Sequence, residues 1–201
     1  RVSHLNHHID GRIEINGEVF DAVILAVAPY HVDALLPEDT PDYIQTAYQS
    51  LHYHAITTVY LRYAQAVKLP APLTGFADGT AQWVLHRGAL GLPDNEVAVV
   101  ISVSDYTEAW KDKDLAEKIH ADIKRVCPDL GKPEAVRIIT EKRATTAATV
   151  DFVQPDFSWL HHRRIYPAGD YLHPRYPATL EAAVQSGFAA AEKLMLDLRV
   201  E

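Results

Sequence analysis

Apolar and polar positions alternate early in the chain, from Gly11 to Phe20, across Asn16-Gly17. That pattern predicts a β-hairpin closed by an Asn-Gly turn. Residues 21–28 (Asp-Ala-Val-Ile-Leu-Ala-Val-Ala) are nearly all apolar and end at Pro29. A short unbroken apolar run predicts a strand covered on both faces, as in a parallel α/β sheet. A short helix is expected over 31–36. The texture then changes. Residues 56–63, 82–86, 97–104 and 136–140 are rich in β-branched and aromatic side chains and read as strands. Residues 114–126 carry apolar side chains at 115, 116, 119, 123 and 126, which is helical spacing, with Asp112 or Asp114 as the expected cap and Pro128 beyond the end. Residues 151–162 show no period and read as a loop. Residues 164–170 predict a short strand and turn. After Pro177, one long helix over 178–198 keeps an apolar stripe at 180, 183, 184, 187, 188, 191, 194, 195 and 198.

Parallel-type strands therefore lie near both ends of the chain, with an antiparallel middle between them. The fold class this predicts is a mixed α/β (α+β) protein in which the ends, 1–40 and 163–201, fold against each other and the middle, 41–162, is an inserted domain. The length of 201 residues allows one domain or two small ones, and 48% apolar residues with 23% charged residues is ordinary for a folded chain. Lys and Arg number 19 against 27 Asp and Glu, a formal charge of −8, which argues against a general nucleic-acid binder. The single cysteine, Cys127, excludes an internal disulfide and a Cys-x-x-Cys zinc site, and suggests a reducing, cytoplasmic compartment. Cys127 lies at a helix C-terminus, which disfavours a thiolate, so it reads as inert. No apolar run reaches the length of a membrane span. The first residue is Arg1 and no signal peptide follows, so the expectation is a chain that begins inside something longer or was processed.

Candidate chemistry concentrates at the C-terminal end. Gly169-Asp170 ends a strand, a loop follows, and a helix starts near Pro177. The backbone N–H groups of Ala178, Thr179 and Leu180 would be unpaired at a positive helix end, a seat for an anionic or electron-rich ligand edge. The alternative is a capped helix with no ligand. Gly187, inside that helix, would allow close packing on the sheet. The 11 histidines do not form metal spacings: His7-His8 and His161-His162 are adjacent and diverge, and His52 and His54 share a face with no partner ligand. No metal is expected. His173 differs only in lying beside the candidate loop. No Gly-x-Ser-x-Gly elbow is present.

The segment 168–187, with Gly169-Asp170, a small-residue helix start with Glu181 and then Ser186-Gly187, resembles the C-terminal flavin-binding motif of the FAD-dependent amine oxidase and phytoene desaturase superfamily. The strings Thr57-Thr58-Val59-Tyr60-Leu61-Arg62, Gln82-Trp83-Val84-Leu85-His86-Arg87-Gly88, Glu141-Lys142-Arg143-Ala144-Thr145 and Tyr176-Pro177-Ala178-Thr179-Leu180-Glu181 resemble its squalene-associated branch, the hydroxysqualene dehydroxylases of hopanoid synthesis. The resemblance implies a partial FAD-binding, Rossmann-like domain from 1–40 and 163–201 and a mainly antiparallel substrate domain at 41–162. It implies FAD as cofactor and an isoprenoid lipid as substrate, with hydroxysqualene converted to squalene. A flavin amine oxidase or carotenoid desaturase on another substrate is the alternative, and a non-catalytic binding module the second. As cofactor-binding residues it implies Gly169, Asp170, Pro177, Ala178, Thr179 and Leu180, with Val2 near adenine and Ala26 to Pro29 closing over the cofactor. Trp83, Arg87 and Arg143 become the substrate-side candidates, and the catalytic acid is unassigned. The family's Gly-x-Gly-x-x-Gly fingerprint is missing from the nine scattered glycines. The chain is therefore expected to match the C-terminal half of the family's protein, to lack the N-terminal FAD-binding half as its partner, to bind FAD weakly alone and to be inactive alone. Exposed apolar surface would then favour a homo-oligomer, and the lipid substrate a peripheral place at the inner membrane face.

Overall fold

The computed structural model describes residues 2, 5–8, 10–149, 156–176 and 178–199. The chain divides into two compact units, residues 1–52 with 146–201, and residues 53–145. The sequence boundaries at 40/41 and 162/163 would split the first core. Ile44 and Tyr48 from α2 (Asp42–Gln49) and Leu160 from α4 (Ser158–His162) are buried with Leu25, Val32 and Ile165. Neither helix was expected from the sequence. Just before α4, whose cap position is Phe157, Asp156 Oδ1 accepts from the Ser158 backbone N–H at 2.8 Å, an Asx turn leading into a five-residue helix.

In the first unit, β1 (Asn6–His7), β2 (Ile13–Ile15) and β3 (Glu18–Phe20) form an antiparallel sheet. Asn16 and Gly17 have φ of 53° and 88°, the two positive angles that an Asn-Gly hairpin turn requires. β4 (Val23–Leu25) pairs in parallel with β10 (Ile165–Pro167), Leu25 opposite Pro167. The two ends of the chain thus meet as the apolar runs predict. The apolar run around β4 yields only three strand residues, and Ile24 is 37% exposed, so burial on both faces is not observed. Pro29 does not merely stop the strand. It opens α1 (Pro29–Val32) at the first helical position, where its missing N–H costs nothing. α5 (Leu180–Arg199) packs against β10 through Ala190 and Leu194 beside Tyr166 and Ala168.

The second unit is a five-stranded sheet in the order β6 (Leu73–Gly75), β7 (Trp83–His86), β8 (Glu96–Ser102), β5 (Tyr53–Arg62), β9 (Ala135–Thr146). The pairs β6–β7, β7–β8 and β8–β5 are antiparallel. Strand alternation divides the two faces. Val59, Leu61, Val84, Val97, Val99 and Ile101 face Leu115, Ile119 and Ile123 of α3 (Asp112–Lys124) in one core. α3 begins at Lys111 without a side-chain cap, so Asp112 and Asp114 instead complement the helix dipole from its first turn. Cys127 is buried and its Sγ donates to the Lys68 carbonyl at 3.0 Å. Burial raises its pKa, which leaves it a thiol.

Candidate functional site

In the first unit, the two parallel strands end together. Ala168 N–H donates to the Leu25 carbonyl at 2.9 Å, so Ala26 and Gly169 emerge side by side beyond the strand ends. Ligands in open α/β sheets bind outside the carboxyl ends of strands. Gly169 is extended, with φ of 170°. Its N–H donates to Ser186 Oγ at 3.0 Å, tying the strand end to α5. A Cβ on Gly169 would lie 2.3 Å from Tyr171 Cε1, so the glycine is the space in which the Tyr171 ring lies. Tyr171 and Ser186 are two site-building residues that the sequence reading missed. The signal for Ser186 was its place beside Gly187 in the motif, and Tyr171 had none.

Asp170 follows, half-buried, and among the described residues its carboxylate has no hydrogen-bond or ion-pair partner. Its backbone carbonyl accepts from Ala178 N–H at 3.2 Å. That corrects one expectation: the Ala178 N–H is not a free donor. Ala178 takes φ of 59° and turns the loop back onto Asp170. The helix start also moves, from 178 to Leu180. Thr179 caps it, its Oγ1 accepting from Ala182 N–H at 3.1 Å and donating to the Tyr176 carbonyl at 3.0 Å. Among the described residues, the N–H groups of Leu180 and Glu181 meet no acceptor, one position later than expected. Leu180 is 89% exposed. His173 braces the loop. Its ring stacks on Tyr176 at 3.9 Å, Nδ1 accepts from the N–H groups of Arg175 and Tyr176, and Nε2 donates to Gln185 Oε1 at 3.0 Å.

Gly169, Asp170, Ala178, Thr179, Leu180 and Ala26 therefore gather at one end of the strand pair. Pro177 lies outside the described residues. Pro29 is buried at the first position of α1, and Val2 is exposed and outside any strand. Gly187 makes no close approach, because a Cβ there would meet nothing within 4 Å.

Trp83, Arg87 and Arg143 belong to the second unit. Its sheet has one face covered by α3, the unit's one α-helix among the described residues. The opposite face carries two cross-strand rows: Gly75, Trp83, Val100, Thr58, and Leu73, Leu85, Ala98, Tyr60. Trp83 is 49% exposed, and Gly75 gives its indole room, since a Cβ there would lie 2.9 Å from Trp83 Cζ3. The next row is charged. Arg62 sits opposite Glu96, and Arg87 Nη1 donates to Glu96 Oε2 at 2.5 Å with its guanidinium 5.4 Å from the Tyr60 ring centre. Arg143 lies on edge strand β9, exposed, its N–H donating to Glu141 Oε1 at 3.1 Å. It is not among the residues that line a cavity with Arg87. Among the described residues no group of three His, Cys, Asp or Glu could share a metal ion.

Comparison with known proteins adds the following. The family model of flavin containing amine oxidoreductase matches residues 1–195. A hydroxysqualene dehydroxylase of Rhodopseudomonas palustris is 32% identical over 180 residues, covering 87% of this chain and 38% of that protein. One from Zymomonas mobilis is 28% identical over 182 residues, covering 86% and 38%. The chain thus spans 38% of the length of these curated relatives. Wild-type putrescine oxidase bound to putrescine superposes with a TM-score of 0.64 at 14% identity, covering 95% of this chain and 47% of that one. A putrescine oxidase variant from a redesign of cofactor binding gives 0.67 at 13%, covering 98% and 48%. These likenesses show the fold: the parallel strand pair with its helix, and the antiparallel sheet inserted between them.

Proposed function

The chain belongs to the flavin containing amine oxidoreductase family, and from that membership we propose that it contributes to an FAD-dependent oxidoreductase that converts hydroxysqualene to squalene. The residues 1–52 with 146–201 would form the cofactor edge, and residues 53–145 the substrate sheet. The names of the curated relatives direct the choice of substrate. The observation that carries it is the open sheet face. Its two middle rows hold Trp83, Val100, Leu73, Leu85, Ala98 and Tyr60 and no charged side chain. Covering apolar surface contributes about 25 cal/mol per Å², so a long hydrocarbon binds such a face without any polar partner. An amine substrate is a cation and needs a carboxylate or an aromatic cage. The carboxylate nearest along these strands, Glu96, is already engaged by Arg87. Trp83 is the wall of this face.

At the cofactor edge the residues present fit one side of a flavin. A half-buried carboxylate without a partner suits a ribityl hydroxyl, and the free N–H groups of Leu180 and Glu181 suit an electron-rich ring edge. When bound, reduced FAD supplies a hydride to the carbon from which the hydroxyl leaves as water after taking a proton. Asp170 accepts a hydrogen bond from the cofactor's sugar-alcohol chain. The N–H groups at the start of α5 stabilise negative charge, and Thr179 holds that helix end in place. The 201 residues hold no Gly-x-Gly-x-x-Gly sequence, so this chain alone would hold FAD weakly. Among the described residues no helix is long and apolar enough to cross a membrane. A bilayer-soluble substrate places the protein peripherally at the membrane surface.

The test is product analysis. The full-length protein, loaded with flavin, is given hydroxysqualene in one reaction and putrescine in another. Squalene without peroxide supports the proposal; peroxide from the amine without squalene makes the protein an amine oxidase.

A further inference from the structure

The open face of the sheet ends in a feature that an uncharged isoprenoid alcohol does not use. Beyond the two apolar rows, a cavity of about 520 Å³ is lined by Tyr60, Arg62, Arg87, Glu96, Arg137 and Ile139, among others. Three guanidinium groups converge on it against one carboxylate, although the chain as a whole carries eight more acids than bases. Their states differ. Arg87 is held: it bonds Glu96 and lies over the Tyr60 ring, with its side chain 28% exposed. The side chains of Arg62 and Arg137 have no hydrogen-bond or ion-pair partner among the described residues. Glu96 neutralises one arginine, leaving a local formal charge of +2. Val136 and Ile139, 44% and 45% exposed, supply an apolar flank on β9.

Arginine presents a planar fork of donors that fits the oxygens of a phosphate. Two unpaired forks beside a third that is braced give a site for a phosphate or diphosphate. The apolar flank and the adjoining Tyr60, Ala98 and Leu85 row give hydrocarbon a place to lie. We propose that this cavity binds a phosphorylated amphiphile, its phosphate between Arg62, Arg87 and Arg137 and its hydrocarbon along the open face. The shared chemistry is a phosphate ester on an apolar chain, supplied either by the headgroups of an anionic membrane or by a free phosphorylated lipid. The site lies wholly within residues 53–145 and does not depend on flavin; its hydrocarbon row is one that the proposed substrate would also cover.

The test uses the purified chain without cofactor. Inorganic pyrophosphate is titrated by calorimetry, and vesicles of phosphatidylglycerol or phosphatidylcholine are assayed by flotation. Arg62→Gln/Arg137→Gln should weaken pyrophosphate binding at least tenfold. Lys113→Gln/Lys118→Gln on α3, the same change in net charge, should leave it within twofold. Circular dichroism checks folding, and the single Arg137→Gln variant, expected to weaken binding at least threefold, is read if the double variant is unfolded. Phosphatidylglycerol vesicles that bind and are released by pyrophosphate identify a membrane headgroup. Pyrophosphate binding without vesicle binding identifies a free phosphorylated ligand. Absence of pyrophosphate binding, or equal weakening by the two double variants, overturns the proposal.

Discussion

Replacing Gly169 with alanine perturbs the end of the parallel strand pair at the point where its construction is most specific. The backbone there is extended, so alanine adopts it freely and the whole effect is steric. The new Cβ would lie 2.3 Å from Tyr171 Cε1 and 2.7 Å from Cδ1, and the three nearest atoms all belong to that one ring. Tyr171 is 4% exposed, meets Tyr48 edge-on with ring centres 6.0 Å apart, and donates its hydroxyl to Tyr48 Oη at 3.4 Å. The ring has to leave that position. Overpacking costs about 1–3 kcal/mol, and loss of the aromatic pair about 0.5–1.5 kcal/mol, so Gly169→Ala should destabilise the first unit by about 1.5–4.5 kcal/mol. Urea unfolding followed by Trp159, which packs in the same core, reads this in a chain whose Trp83 and Trp110 are replaced by Phe. A second measurement isolates the cause. In a Tyr171→Ala background the glycine has nothing left to make room for, and the same change should cost less than about 0.5 kcal/mol. An equal cost in both backgrounds would refute the steric account, as would no cost in either.

Three further outcomes are expected. Asp170→Asn should leave the melting temperature of the cofactor-free protein unchanged, because its carboxylate has no partner among the described residues. In flavin-loaded protein the same change should weaken FAD by roughly ten- to a hundred-fold, the loss of one charge-assisted hydrogen bond, measured by flavin fluorescence. The imidazoles of His120 and His161 are both held below the usual value of 6.5, first by burial and then by Lys124 and Lys132 for His120 and Lys193 for His161. The folded state therefore favours the neutral rings, so stability is full above pH 6.5 and falls as acid protonates the unfolded chain first; the urea midpoint should drop between pH 7 and 5, and less steeply in His120→Gln. Val184, Phe188 and Met195 are 54%, 68% and 51% exposed along one side of α5, so the chain should self-associate at micromolar concentration, and sedimentation of Phe188→Lys should give a monomer.

The elements legible in the sequence are those whose pattern and turn chemistry agree. Asn16-Gly17 fixes the first hairpin, and β-branched and aromatic content marks β5, β7 and β8. α2 was missed because it buries only Ile44 and Tyr48 within eight residues, too few to establish a period. β9 runs to Thr146 rather than 140, since its outer half carries Glu141, Lys142 and Arg143 on an exposed edge strand. Charged residues on an edge read as loop, although they protect such strands from pairing. At the end of the parallel strand pair, Gly169 and Asp170 were legible from their motif. The roles of Ala178 and Thr179 were not, because a positive φ at alanine and a threonine cap shift the helix start by two residues. Arg62 and Arg137 are 75 residues apart and share a cavity only because β5 and β9 are neighbours in the sheet.

The most direct measurement of the central claim is a single turnover in D2O with the full-length protein, loaded with flavin and reduced beforehand. The transferable hydrogen of reduced flavin exchanges with solvent, so dehydroxylation by hydride transfer should convert hydroxysqualene to squalene carrying one deuterium, as read by mass spectrometry. Oxidation of the flavin should accompany it in equal amount. Recovery of unchanged hydroxysqualene, or squalene without deuterium, would contradict the assignment.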